Sequence, residues 1–196
     1  MQIKKIDSRE ITTHLHDLAG LRLTIFREYP YLYDGILEDE LGYVSHYAEH
    51  GMVLIALDDE TVIGAVTGMP LGLEEEYFQK PFKTAGLDPH QYFYIGELLL
   101  QSLYRRKRLG SQLLQQIEQE ICKTGQYRYL CCATVVRPAN HPLRPETFFP
   151  IEPFCQRHGY GLLDRVTVQI PWQQTDGTRP LNTLQFWVKQ VPSVVR

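Results

Sequence analysis

Apolar residues follow two different periods along this chain, and the switches between them predict its elements. "MQIKKI" alternates and reads as a first strand. Ser8 stands as an N-cap ahead of Ile11, and "ITTHLHDLAGLRLTIFREY" keeps a helical period until Pro30 and Gly35 break it. A second helix is predicted over 37–50. "MVLIALDDETVIGAVTGMP" is two strands turning at Asp58-Asp59, a hairpin. "GLEEEYFQKPFKTAGLDPH" loses the pattern and reads as an irregular, partly helical connection. "QYFYIGELLLQ" ends in a continuous apolar run, as a strand in the middle of a sheet does. "LGSQLLQQIEQEICKTG" is an amphipathic helix closed by Gly125, and "YRYLCCATVV" is the next strand. A proline-rich loop, "RPANHPLRPETFFP", leads to a short helix over 151–158 that ends near Gly159. "LLDRVTVQIPW" and "LNTLQFWVKQV" are two closing strands joined by the turn "TDGTRP". No linker interrupts the series, so residues 1–196 read as one α/β domain with a mixed sheet.

Composition narrows the class. Hydrophobic residues make up 43% and charged residues 22%, enough for a core of ordinary size. The net charge of −3 argues against general nucleic-acid binding. No stretch has the apolar length of a membrane span, and the N-terminus lacks the apolar core of a signal peptide. Cys122, Cys131, Cys132 and Cys155 show no C-x-x-C spacing, which suits reduced thiols in a cytoplasm. Cys131 and Cys132 are adjacent on a strand and face opposite ways. His46 and His50 are spaced i, i+4, but a third ligand is missing, so no metal is expected.

Against this acidic background, Arg105, Arg106, Lys107 and Arg108 stand in a row between the apolar strand and the amphipathic helix. Cations oppose the dipole at a helix N-terminus, so the run does not serve the helix. Exposed N–H groups, a glycine at 110, a hydroxyl at Ser111 and four cations together suit a small polyanion such as a pyrophosphate; the alternative is a solvated basic turn or a nuclear-localisation-like patch. Neither the Walker A spacing nor the Rossmann fingerprint is present.

The stretch resembles the acetyl-CoA motif of the GNAT superfamily of N-acetyltransferases, [QR]-x-x-G-x-[GA]. Arg105 holds its first position and Gly110 its last, while Arg108 replaces the central glycine. If that backbone needs a positive φ, arginine costs energy there; if not, its side chain adds a phosphate contact. "FREYPYLYDG", "GELLL", "VVRPANHPLRP" and "FCQRHGY" extend the likeness to an uncharacterised bacterial group of the superfamily. The resemblance implies a mixed, largely antiparallel central sheet flanked by helices, with a splayed strand pair at the acetyl-CoA site. It implies that backbone N–H groups from Arg106 through Leu109 and Gly110 to Ser111 cradle the pyrophosphate. Leu98, Leu99 and Leu100 then lie along the pantetheine arm, paired through backbone like an added strand.

Transfer to an amine needs a neutral nitrogen, and a lysine-like amine with a pKa of about 10.4 is almost wholly protonated at pH 7. Glu97, a carboxylate within the apolar "YIGELLL", is the expected base, raised by desolvation; the alternative is a partnered structural glutamate. The family's usual tyrosine acid falls on Cys155, which serves either as a proton donor or as a buried apolar residue. The segment matching the family's acceptor border carries Glu28, Tyr31, Tyr33 and Asp34, suited to an ammonium or to tying down a turn. Arg137 and His141 in the proline-rich loop face an acidic acceptor or are surface charges. The expectation is an acetyl-CoA-dependent N-acetyltransferase acting on a small-molecule or peptide amine, monomeric or homodimeric, with no nucleic-acid or membrane partner. A non-catalytic acyl-CoA-binding or sensing module is the alternative.

Overall fold

A computed structural model of the chain describes residues 1–7 and 10–192; the expected N-cap Ser8 lies outside them. The order is β1 (Gln2–Ile6), α1 (Ile11–Phe26), α2 (Leu37–His50), β2 (Met52–Asp58), β3 (Thr61–Pro70), α3 (Glu76–Thr84), β4 (Tyr92–Leu100), α4 (Leu109–Thr124), β5 (Tyr129–Val135), α5 (Glu152–Arg157), β6 (Gly161–Pro171) and β7 (Leu181–Gln190). The succession of strands and helices read from the pattern is therefore present. The irregular connection after β3 contains a defined helix, α3, held by the fully buried Phe82 although Pro81 interrupts its hydrogen-bond ladder.

Seven strands form one sheet in the order β1-β2-β3-β4-β5-β7-β6. All neighbours are antiparallel except β4 and β5, which pair in parallel from Tyr92↔Tyr129 to Ile95↔Cys132. That pairing stops at Ile95 and Cys132, while β4 continues along β3 to Leu100 and β5 continues along β7 to Val135. The two strands part there, and the sheet opens into a V.

A bulge decides which way β4 faces beyond this point. Thr67 opposes Glu97 but Gly68 opposes Ile95, so Gly96 is the extra residue. Phe93 and Ile95 pack with Leu109, Leu113, Ile117 and Ile121 of α4. Without the extra residue Glu97 would share their face. The bulge reverses the alternation, so Leu98 and Leu100 take the α4 face and Leu99 joins the cluster of α1 and α2. Gly96 has no substitute here, because a Cβ would stand 2.4 Å from the Tyr47 hydroxyl.

Helix α4 follows the predicted period and ends where predicted. Leu113 and Ile117 are wholly buried, each contributing about 1.5–3 kcal/mol by leaving water. Gly125 takes φ 63° and closes the helix by donating its N–H to the Cys122 carbonyl. Helix α1 buries Leu18, Leu21 and, on the same stripe, the charged Arg22; α2 buries Val44, Tyr47 and the charged Glu40. Both charged residues belong to the site.

Candidate active site

The mouth of the V is flanked by the basic loop. After Leu100 a 3₁₀ turn over Ser102–Tyr104 leads to Arg105, and the chain enters α4 through Arg106 at φ 64° and Arg108 at φ 66°. Arginine thus occupies left-handed backbone where the motif it resembles has glycine, at a cost of about 1–2 kcal/mol for an L-residue. The N-cap Arg108 makes no side-chain cap, so the first-turn N–H groups of α4 open into the loop. Arg105 through Arg108 are exposed, whereas Leu109 is buried and anchors the helix start. A Cβ on Gly110 would meet no atom within 4 Å, so packing does not demand glycine there. The Ser111 hydroxyl lies 3.0 Å from His158 Nε2 of α5.

The four cations are partly engaged. Arg105 Nε donates to the Leu100 carbonyl at 2.9 Å, and its Nη1 pairs with Glu28 at 2.7 Å. Arg106 stacks on Phe149 and Lys107 on Tyr104. The Leu99 side chain is buried beneath the α1 face, so this residue offers a ligand its backbone only.

Over the V lies the segment between α1 and α2. Asp34 N–H donates to the Gln173 carbonyl, Thr175 N–H donates to the Leu32 carbonyl, and Tyr33 bridges to Gln174, which ties the segment to the β6–β7 hairpin. Arg137 donates from Nε to the Pro30 carbonyl at 2.7 Å and from Nη2 to the Tyr31 carbonyl at 3.0 Å, where Trp172 Nε1 also donates at 3.0 Å. Arg137 therefore holds backbone, and burial lowers its pKa. His141 packs on the Tyr29 ring and accepts the Leu143 N–H on Nδ1. Asp34 pairs with Arg27, and Glu28, as above, with Arg105. The Tyr31 ring packs on Phe26, with its phenol pushed up to about 12 by burial and by the neighbouring Cys132.

Beneath this roof is a buried polar floor. Arg22 stands between two carboxylates, pairing with Glu40 and with Glu97, its guanidinium 3.7 Å from the centre of the Tyr43 ring. Thr67 Oγ1 donates to Glu97 at 3.1 Å and Tyr33 donates to Glu40 at 2.8 Å. Glu97 is buried as expected, but as one member of an ion-paired triad. Such a pair is sustained by its partner; remove the cation and two charges are stranded.

A third carboxylate, Glu74, comes from the turn after β3. It accepts from the Tyr47 hydroxyl and from the Glu75 N–H, and burial raises its pKa. Cys155 is buried in the α4 core, where Cys132 also packs. The neighbouring thiols influence each other, which lowers the pKa of Cys155 and, with burial, raises that of Cys132. The adjacent Cys131 packs against the opposite face, in the cluster with Phe82 and Phe186. His46 and His50 have rings 4.8 Å apart, and among the described residues no three His, Cys, Asp or Glu side chains gather as a metal site.

Sequence reasoning missed Arg22, Glu40 and Glu74. The first two carried a signal: each interrupts the buried stripe of an amphipathic helix. Glu74 carried none, being the first of three consecutive glutamates in a polar stretch.

The sequence model of the acetyltransferase (GNAT) family matches residues 14–145. This chain belongs to that family, and with it to the acyltransferases. No curated protein matches it in sequence. Among solved structures it is similar to an aminoglycoside 6'-N-acetyltransferase complexed with coenzyme A, at TM-score 0.64 and 15% identity over 98% of each chain. It is also similar to the aminoglycoside 6'-N-acetyltransferase from Enterococcus faecium, at TM-score 0.62 and 14% identity over 98% of each chain. A third likeness is to yncA from Salmonella typhimurium with its cofactor acetyl-CoA, at TM-score 0.62 and 12% identity over 100% of this chain and 96% of that one. At such identities the likeness is one of fold: the open seven-stranded, mostly antiparallel sheet flanked by helices.

Proposed function

We propose that this chain, acting as one domain over residues 1–196, is an acetyl-CoA-dependent N-acetyltransferase. It moves an acetyl group to a primary amine of a small molecule or peptide by direct attack in a ternary complex. The observation that carries the reading is the parting of β4 from β5 after Ile95, directly ahead of the cationic loop. The free edge of β4 over 96–100 suits the amides of pantetheine. Arg105 to Arg108 and the first N–H groups of α4 suit the pyrophosphate, with Gly110 leaving room for it. Structures of the same fold with coenzyme A and with acetyl-CoA lend support.

The acceptor enters between the α1–α2 segment and the polar floor. The Tyr31 ring at this border suits an ammonium group, whereas the Tyr43 ring is taken by Arg22 and Tyr47. Glu28 and Asp34 make the approach acidic, while Tyr33 and Arg137 hold its walls and His141 packs at its rim. The nitrogen attacks the thioester carbonyl carbon, an N–C bond forms and the C–S bond breaks. Two protons leave the nitrogen in all, and one ends on the departing sulfur. Backbone N–H near Leu99 or Leu100 is assigned to polarise the carbonyl, and the Cys155 thiol is assigned to hand the proton on to the departing sulfur.

The test is calorimetric titration with acetyl-CoA followed by a screen of amines for release of free CoA thiol. Binding together with amine-dependent thiol release is expected. Binding with no turnover on any amine reduces the protein to an acyl-CoA-binding module, and no binding at millimolar ligand removes both readings.

A further inference from the structure

Two buried carboxylates flank Gly96, the bulge residue at the mouth of the V, and they differ in charge environment. Glu97 follows Gly96 in the chain and is paired with Arg22. Glu74 reaches the same place through space: it accepts from the Tyr47 hydroxyl, and that hydroxyl lies against Gly96. Among the described residues no lysine or arginine pairs with Glu74. Resting on the function proposed above, we propose that Glu74 is the group that takes the proton from the acceptor ammonium, and that the acceptor is a cation when it arrives.

The surroundings carry the argument. An ammonium entering beside Glu97 meets the Arg22 guanidinium, which already holds that carboxylate and Glu40. A base whose charge is compensated in this way gains little by accepting a proton. Glu74 offers the opposite: a carboxylate 8% exposed, without a cation, behind a wall of aromatic rings. Tyr43 stacks on Tyr47 with ring centres 4.7 Å apart, and Phe78 lies 5.2 Å from Tyr94. The phenols of Tyr43, Tyr77 and Tyr94 all feel the Glu74 charge; Tyr94 also feels Tyr31, and Tyr31 feels Cys132, the last β5 residue paired to β4.

Every group facing Glu74 bears on its titration. They are Tyr43, His46 and Tyr47 of α2, Glu75 and Tyr77 at the start of α3, Tyr94 of β4 and Cys131 of β5. Burial raises its pKa, the Tyr47 hydrogen bond, the Glu75 N–H and His46 lower it, the Glu75 carboxylate raises it slightly, and the net direction is upward. A raised carboxylate is a better proton acceptor at neutral pH as long as it stays ionised.

The step balances as follows. The ammonium gives one proton to the Glu74 carboxylate, and the freed lone pair forms the N–C bond with the thioester carbonyl carbon. As the C–S bond breaks, the second nitrogen proton passes to the sulfur. Glu74 then returns its proton to solvent.

The experiment compares Glu74→Gln, Glu97→Gln and Tyr47→Phe on an amine found by the screen, each variant first checked for its melting temperature and acetyl-CoA binding. Glu74→Gln is expected to lower kcat/KM by about 10²-fold or more at pH 7. That defect should shrink towards the pKa of the free amine, and the acidic limb of the pH profile should disappear. Glu74→Asp should restore part of the rate. Glu97→Gln, whatever it does to rate or stability, should leave the acidic limb in place. Tyr47→Phe removes a donor to the carboxylate and should shift that limb to higher pH, which a purely structural role would not do. A Glu74→Gln variant with the wild-type profile, or a limb that vanishes in Glu97→Gln instead, overturns the assignment while leaving acetyl transfer intact. Wild-type protein that turns over no amine at all overturns both.

Discussion

The cationic loop and the buried polar floor treat charge in opposite ways. In the loop, Arg105 to Arg108 are exposed, and the strain sits in the backbone, at Arg106 and Arg108. In the floor, Arg22, Glu40, Glu97 and Glu74 are each 8% exposed or less, and the cost is desolvation. An exposed cation stays hydrated until a ligand arrives, so its contribution to stability is small and depends on salt. A buried carboxylate has given up water in advance and must be compensated by a neighbour or shift its pKa. Binding of a fully charged cosubstrate suits the first arrangement. Proton transfer suits the second, which perturbs pKa values before any substrate binds.

The largest effect that would break this contrast is expected at Arg22. Arg22→Met leaves Glu40 and Glu97 buried without their cation, and should cost about 3–5 kcal/mol in urea denaturation at pH 7. A cost below about 1 kcal/mol would mean that the floor is hydrated and resembles the loop.

Next comes the ligand. Acetyl-CoA at about 100 times its Kd should stabilise the fold by about 2.7 kcal/mol, a melting rise of roughly 5–10 °C. The gain should fall with added salt, because the loop cations are exposed. Gly110→Asp should abolish the shift while leaving the ligand-free melting temperature nearly unchanged, since a side chain there meets open space. Retention of the shift in that variant would move the phosphate site elsewhere.

A smaller effect separates backbone from side chain in the loop. Arg108→Gly relieves the left-handed arginine and should stabilise the ligand-free protein by up to about 1 kcal/mol, readable in the urea midpoint. If acetyl-CoA affinity is unchanged, the cradle consists of N–H groups; a fall of tenfold or more would assign the guanidinium a phosphate contact.

The finest test is one of sign. Burial raises the Glu74 pKa above its ordinary value of 4.5, so the folded state binds this proton more readily than the unfolded state. The corresponding stabilisation is complete below the unfolded value and is lost as pH rises through the folded one. Glu74→Gln carries no such term. Its stability relative to wild type should therefore increase with pH from about 4.5 upward and then level off, as measured by urea midpoints at pH 4, 6 and 8. A gap that runs the other way would mean Glu74 has a cation partner in solution.

The chain's own sequence determined the order of elements, the span and end of α4, and the place of the cationic loop. Period, glycine caps and a run of four cations are local signals, readable without knowing what packs on them. Even the strain at Arg108 was legible as a condition, since an arginine in a glycine position must either avoid positive φ or tolerate it. The tertiary structure decided the rest. Gly96 as a bulge turned Glu97 from the α4 core to the α1 face, and no local pattern marks a residue as the extra one in a register. Arg22 met Glu97 across 75 positions, Arg137 became a clamp on Pro30 and Tyr31, and β7 slipped between β5 and β6. The three glutamates of "LEEEYF" look alike in the chain; Glu74 alone was drawn under Tyr47. Which charge is compensated, and which is left to move a proton, depends on partners distant in sequence, and register and packing alone choose them.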